Sequence, residues 1–351
     1  MEEKWMVEIC LDREELVYSG RINRRDKSRP ELIFPASYLH FRFWGRKAVL
    51  TVENRHFYWD NYAGALVDGV QKKWLLKDMG QTEITLMDND EDGEHEVLFF
   101  KRQDSCHEMI LCSLHLSEGG ALLPPPPVPE RRIEVYGDSV SAGEVSEAAA
   151  YEGKEDPPHN GEYSNSWYSY AWMTARRLNA QIHDIAQGGI ALMNGTGWFH
   201  EPDAIGMESV WDKIHYAPEA GKPVLWDFTQ YTPDVVIVAV GQNDSHPHDY
   251  MKEEPLGLLA VRWRECYKKF LLKLRSQYPA AHIICCTTLL NHDKSWDISI
   301  EQVCHELADG KVSHFLFQRN GEGTPGHLRI SEAEEMAEEL AAYIEEVVYI
   351  K

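Results

Sequence analysis

IEVYGDSVSAGE (residues 133–144) starts as a run of strand formers, stops at Gly-Asp-Ser and then turns small and polar. An apolar strand that ends so abruptly reads as one member of a buried parallel sheet followed by a tight loop. In such a sheet the loops at the carboxyl ends of the strands converge on one crevice, which places Ser139 where chemistry can occur. Gly-Asp-Ser on its own also describes a plain turn, in which Asp and Ser bond the local backbone.

Downstream of this stretch, apolar strands alternate with helix-length amphipathic segments. RIEVYG, QIHDIA, DVVIVAVG, HIICCTTL and HFLFQ read as strands, whereas SYAWMTARRL, LLAVRWRECYKKFLLKLRSQY and ISEAEEMAEELAAYIEEV read as helices. The alternation predicts an α/β domain with parallel pairing and right-handed crossovers. In the last helix, Ser331 and Glu334 have capping-box spacing, and Met336, Leu340, Ile344 and Val347 form one apolar stripe. Upstream, GGALLPPPPVPERR (119–132) can form neither helix nor central strand, because proline fixes φ and lacks the backbone donor. It divides the chain into residues 1–124, a proline-rich linker at 125–131, and residues 132–351. The first part carries short apolar runs such as LHFRFWG, AVLTVE and EVLFFKR between Gly, Asp and Asn turn signals, which predicts an all-β sandwich of jelly-roll type.

The 351 residues suffice for two domains with separate cores. Thirty-five basic against fifty-seven acidic residues leave a net charge of −22, which repels nucleic-acid backbones and anionic lipid surfaces and suits a neutral substrate. No run reaches the ~18 apolar residues of a membrane span. MEEKWMVEICLDREEL lacks the basic start and apolar stretch of an export signal, so a cytoplasmic location is expected. The seven cysteines are scattered without paired C-x-x-C spacing and read as reduced thiols, mostly in the core. Oligomeric state has no signal here.

Two further strand ends carry polar loops: Gln187-Gly188-Gly189 after QIHDIA, and Gly241-Gln242-Asn243-Asp244 after DVVIVAV. An acyl-transfer site needs donors aimed at a developing oxyanion, and the Gly189 N–H, the Asn243 amide and the N–H of Ser139 itself would supply them. Each loop alone can be a strand end or a helix cap; the coincidence of all three favours chemistry. The only histidine in the final loop before the last helix is His327, in GTPGHLRIS, which makes it the candidate general base.

The order GDS, glycine loop, G-x-N-D and late histidine resembles the SGNH (GDSL-type) hydrolases, whose four named residues would here be Ser139, Gly189, Asn243 and His327. A β-sandwich containing SYLHFRFWG, joined to a domain with YSNSWYSYAWMTARRLNAQIHDIAQGG, YTPDVVIVAVGQND and LRSQYP, is similar to the family-two carbohydrate esterases, deacetylases of plant polysaccharides and their oligosaccharides. The resemblance covers nearly the whole chain. It implies a three-layer α/β/α, flavodoxin-like SGNH domain preceded by the jelly-roll sandwich. It also implies a serine esterase that removes O-acetyl groups from hemicellulose oligosaccharides (mannan or xylan), with 6-O positions preferred, through an acetyl-enzyme and without metal or cofactor.

The sequence departs from that pattern at two places. Gly-Gln-Asn-Asp replaces the more frequent Gly-Thr-Asn-Asp, and Thr324 and Pro325 occupy the positions where many relatives carry the acid that orients the histidine. Such families include Ser-His dyads, so the carbonyl of Pro325 is expected to accept the Nδ1–H, with Asp244 and Asp293 the acids to check. Asp138 and Asp244 are assigned to holding their loops. Sugars present apolar C–H faces, and Trp167, Trp198, Trp296 and Tyr250 are candidate binding aromatics by loop position. SHPHDY places His246 beside them as polar lining of the crevice rather than as a metal ligand. Two other readings use the same residues: an esterase or thioesterase for other acyl groups, and a carbohydrate-binding protein with an inactive hydrolase domain.

Overall fold

The computed structural model describes residues 6–349. The N-terminal part is a nine-stranded antiparallel sheet dominated by two long strands, Tyr38–His56 and Gly80–Lys101. They pair from Tyr38 with Phe100 to Asn54 with Gly80, and the register shifts between Gly45 and Lys47 and again between Ala48 and Val49. An extra residue on one strand bends and twists the ladder. Both halves of the sheet therefore wrap one core, in which Leu39, Phe41 and Phe43 meet Leu50, Val52, Leu111 and Leu114. The period-two pattern of LHFRFW explains this directly: His40, Arg42 and Trp44 alternate with those buried residues and face outward.

The proline run forms no helix or strand between Ala121–Leu122, which pairs with Tyr38–His56, and Arg131–Gly137, the first strand of the second part. That part is a five-stranded parallel sheet. Counted along the chain from Arg131–Gly137, the strands lie in the spatial order two, one, three, four, five, with Ala180–Ala186 and Val235–Ala239 on either side of the first. Alternate strand residues feed two cores. Tyr136, Val236, Val238 and Ile283 pack beneath the helices Leu258–Gln277 and Ser295–Leu307, while Val135, Ile182, Ile237 and Ile284 pack beneath Tyr170–Arg177 and Ile330–Ile344. The result is the three-layer α/β/α arrangement expected of an SGNH domain.

Two local expectations shift. The fifth strand is Val312–His314, so only His314 of HFLFQ belongs to it, and Phe315 follows on as a single bond from its N–H to the Cys285 carbonyl. The last helix begins at Ile330, and its reciprocal cap uses Glu332, whose Oε2 accepts the Arg329 N–H at 3.0 Å, not Ser331 and Glu334. The apolar stripe holds, with Met336, Leu340 and Ile344 fully buried.

Polar bonds fix the two parts against each other. The wholly buried Arg21 donates to the Trp211 carbonyl at 2.7 Å and to the Tyr136 hydroxyl at 3.0 Å, and the Ser166 hydroxyl donates to the Lys101 carbonyl at 2.7 Å. A buried guanidinium whose hydrogen bonds cross a junction resists separation, since parting the domains would strand it.

Candidate active site

Strands two, one and three are neighbours, so their carboxyl-end loops meet where the strand order reverses. Ser139 opens the short helix Ser139–Ala142 directly behind the first strand. Gly137 permits this turn, because a Cβ there would stand 2.0 Å from Ser141 Oγ. Asp138 caps the helix through Val140 N at 3.0 Å, and its other oxygen accepts Gln242 Nε2 at 2.9 Å and Asn243 Nδ2 at 3.1 Å. Burial lifts its carboxyl to about 6 against the pull of those hydrogen bonds. Asp138 thus ties the serine loop to the asparagine loop.

Asp244 does the same for the glycine loop, accepting Leu192 N at 2.7 Å, Met193 N at 3.1 Å and Thr196 Oγ1 at 3.0 Å. Gly189 sits at φ +70°, and a Cβ there would meet Trp198 Cβ at 2.8 Å, so the loop needs glycine for both conformation and space. Asn243 Nδ2 also donates to the Ile190 carbonyl at 3.1 Å, which fixes the amide against the glycine loop. Ser139, Gly189, Asn243 and His327 all line one open cavity of about 750 Å³.

The orienter of His327 is a carboxylate, not the Pro325 carbonyl. Asp156 Oδ2 lies 2.6 Å from His327 Nδ1, and Asp156 Oδ1 accepts the His327 backbone N–H at 3.0 Å and Arg329 Nη2 at 2.9 Å. Gly326 leaves room for it, since a Cβ there would fall 2.4 Å from Asp156 Oδ1. A charge-assisted bond to a carboxylate outcompetes a neutral carbonyl for an imidazole N–H. Pro325 lines the cavity without that role, Asp244 serves the glycine loop, and Asp293 accepts Ser295 N at 2.9 Å in the turn that leads into the helix Ser295–Leu307. Burial works to raise the Asp156 carboxyl, but the His327 hydrogen bond and charge, with Arg329, hold it at about 2. Burial likewise opposes charge on His327, yet Glu144 and Asp156 together lift the imidazole to about 9.

The N-terminal part supplies one wall of the cavity through Phe57, Tyr58, Trp59 and Cys106. Behind that wall Asp104 Oδ2 accepts Gly188 N and Gln187 Nε2, each at 2.9 Å, and the Tyr58 hydroxyl. Asp104 therefore anchors the glycine loop from the other domain. Asp104 Oδ1 also accepts the Cys106 N–H at 3.2 Å, so Asp104→Ala would leave four donors without this partner, two of them (Gln187 Nε2 and Cys106 N) buried, and is expected to destabilise the fold by about 2–4 kcal/mol. Thermal unfolding would check it; an unchanged midpoint would mean that the loop is held elsewhere.

The aromatic candidates divide. Trp198 lines the cavity at 57% exposure, with the His246 ring stacked on it, so His246 supports that wall rather than lining the cavity. Trp296 and Tyr250 are core residues: Trp296 lies in the helix Ser295–Leu307, wholly buried against Tyr250 and Trp263. Trp167 packs on Trp172 and beneath the Arg176 guanidinium, away from the cavity. Large aromatics were drawn to the core by the area they bury. Sequence reasoning missed Asp156, Glu144, Asp104 and Tyr58, whose segments show no periodicity; the one local cue for Asp156 is the Asp-Pro-Pro run that opens a fixed loop.

Residues 18–126 match the family described as Carbohydrate esterase 2 N-terminal. Cellulase/esterase CelE of Acetivibrio thermocellus is 29% identical over 341 residues, which are 94% of this chain and 39% of that protein. The chain thus spans about two fifths of that relative. An acetylxylan esterase / glucomannan deacetylase of Cellvibrio japonicus is 25% identical over 304 residues, 85% of this chain and 80% of the other. Among solved structures, a family two carbohydrate esterase from Clostridium thermocellum in complex with cellohexaose superimposes with a TM-score of 0.77 at 28% identity, covering 94% of this chain and 98% of that one.

Proposed function

We propose, from the similarity of the chain to family-two carbohydrate esterases, that it is a serine esterase that removes O-acetyl groups from carbohydrates. The observation that carries the reading is that His327, bonded through Nδ1 to Asp156, lines one cavity with Ser139, Gly189 and Asn243. With Nδ1 committed to Asp156, Nε2 is left to serve the Ser139 hydroxyl. Ser139 Oγ attacks the acetyl carbonyl while His327 takes its proton. The N–H groups of Ser139 and Gly189 receive the oxyanion, and Asn243 shares one of its amide hydrogens, which Asp138 and Ile190 hold in the resting site. The imidazolium then protonates the leaving sugar hydroxyl, and water resolves the acetyl-enzyme by the reverse sequence.

The substrates in this reading are acetylated hemicellulose oligosaccharides. A cavity of about 750 Å³ with an exposed tryptophan on its rim suits a few sugar units, whose C–H faces stack on an indole. Primary 6-O-acetyl groups reach a recessed serine with less crowding than ring positions, and Ser139 is buried. Time-resolved NMR on acetylated mannan and xylan oligosaccharides tests the reading. The 6-O-acetyl signal is expected to disappear first, with kcat/KM on di- to tetrasaccharides matching or exceeding that on polymer. Fastest release from ring position 2, or clear preference for polymer, would refute it.

A further inference from the structure

Glu144 closes the stretch that bears Ser139, and the mechanism above leaves it idle. Its backbone N–H donates to the Ser139 carbonyl at 2.9 Å, which folds the side chain back into the cavity. Its Oε1 lies 3.6 Å from His327 Nε2, and the side chain is only 11% exposed. Among the described residues this carboxylate has no hydrogen-bond partner; the His327 ion pair is its one polar contact. Gly188 leaves room for it, because a Cβ there would come within 2.8 Å of Glu144 Oε2 and 2.7 Å of Asp104 Oδ2.

Asp156 already occupies Nδ1, so Glu144 meets the nitrogen that Ser139 must use. A carboxylate at that nitrogen stabilises the imidazolium before any serine proton has been taken, and so competes with Ser139 for the same site. The groups facing Glu144 are His327, Asp104, Asp156, Asp138 and the Tyr58 hydroxyl, of which only His327 can be a cation. Those facing His327 are Asp156, Glu144 and Asp138, with His159 and Arg329 beyond.

We propose that Glu144 is a positioning residue that holds His327 protonated in the resting site and thereby sets the pH at which the base becomes available. The proposal rests on the esterase reading for its kinetic consequence, not for its structural one. Burial raises the Glu144 carboxyl to about 7, with the His327 charge pulling it back down and the nearby aspartates adding to the rise; His327 itself stands at about 9. Between those two values the pair is Glu144 anion and His327 cation. Neutral His327 then appears as the pH rises through the upper value. Removing the Glu144 charge lowers the imidazole pKa, so the acid limb of activity moves to lower pH.

The test combines two readouts on Glu144→Gln, which keeps the shape and removes the charge. The His327 imidazole, followed by NMR as a function of pH, is expected to titrate on the alkaline side of neutrality in the wild type and about one unit or more lower in the variant. The acid limb of kcat/KM for an acetyl ester is expected to move the same way, raising activity at the foot of the limb about tenfold relative to the plateau. Glu144→Asp, which draws the carboxylate back by one methylene, should fall between the two. An imidazole that titrates alike in wild type and both variants overturns the proposal whatever the activity. If the imidazole shift is found but no acetyl ester is turned over by the wild type, the esterase reading fails and the ion pair stands.

Discussion

Replacing Ser139 by alanine is expected to leave the fold intact and to lower kcat by at least ~10³, because the covalent route loses its attacking oxygen. The side chain is buried at the start of the Ser139–Ala142 turn, and the bonds that shape the turn come from Asp138, Gly143 and the backbone rather than from the hydroxyl. Truncation should therefore be nearly silent in a thermal melt. Turnover of p-nitrophenyl acetate by wild type and variant measures the effect. A variant that kept more than about a tenth of wild-type activity would place the nucleophile elsewhere. The same assay separates an esterase from a carbohydrate-binding protein with an inactive hydrolase domain, and a series of acyl chain lengths separates acetyl from longer-chain specificity.

Asp156→Asn is expected to lower kcat by about 10³–10⁴, through the tautomer of His327 rather than through position. In the wild type Asp156 Oδ1 receives two donors, the His327 backbone N–H and Arg329 Nη2. An asparagine must keep its oxygen in that corner, which turns its NH2 toward His327 Nδ1. Nδ1 then becomes an acceptor, the ring proton moves to Nε2, and the imidazole can no longer take a proton from Ser139. Steady-state kinetics, with a crystal structure to show the ring in place, would check the effect. A fall of less than about tenfold would mean that Asp156 only anchors the final loop, and that a dyad suffices.

Much of the candidate site was legible along the chain. Ser139, Gly189 and Asn243 each follow an apolar strand of the parallel sheet, and strand ends are visible in sequence because hydrophobic runs stop where the sheet stops. Parallel pairing then brings those ends together whatever the details of packing, so the three loops could be joined before any distance was known. His327 is a candidate by its place in the last loop before the capped helix. Asp156 was not: it lies 171 residues from its partner in an irregular segment, and the neighbouring positions Thr324 and Pro325 pointed to a backbone acceptor instead. Glu144 stood in the quoted stretch itself, yet nothing in its spacing tells that its side chain turns back toward Nε2.

The amino-acid order by itself determined the α/β alternation, the all-β character of the part before the prolines, the three strand-end loops and the serine, because each depends on local periodicity, turn chemistry and the direction of parallel strands. Only the tertiary structure decided which side chains meet at long separation. Asp104 reaches the glycine loop across 84 residues because one domain docks on the other, and Asp156 reaches His327 because Gly326 leaves space for a carboxylate. The same docking sorted the aromatics. Trp198 stayed on the cavity rim, held apart from the core by the tight Gly189 loop, while Trp296 and Tyr250 were drawn into the core where their area is removed from water.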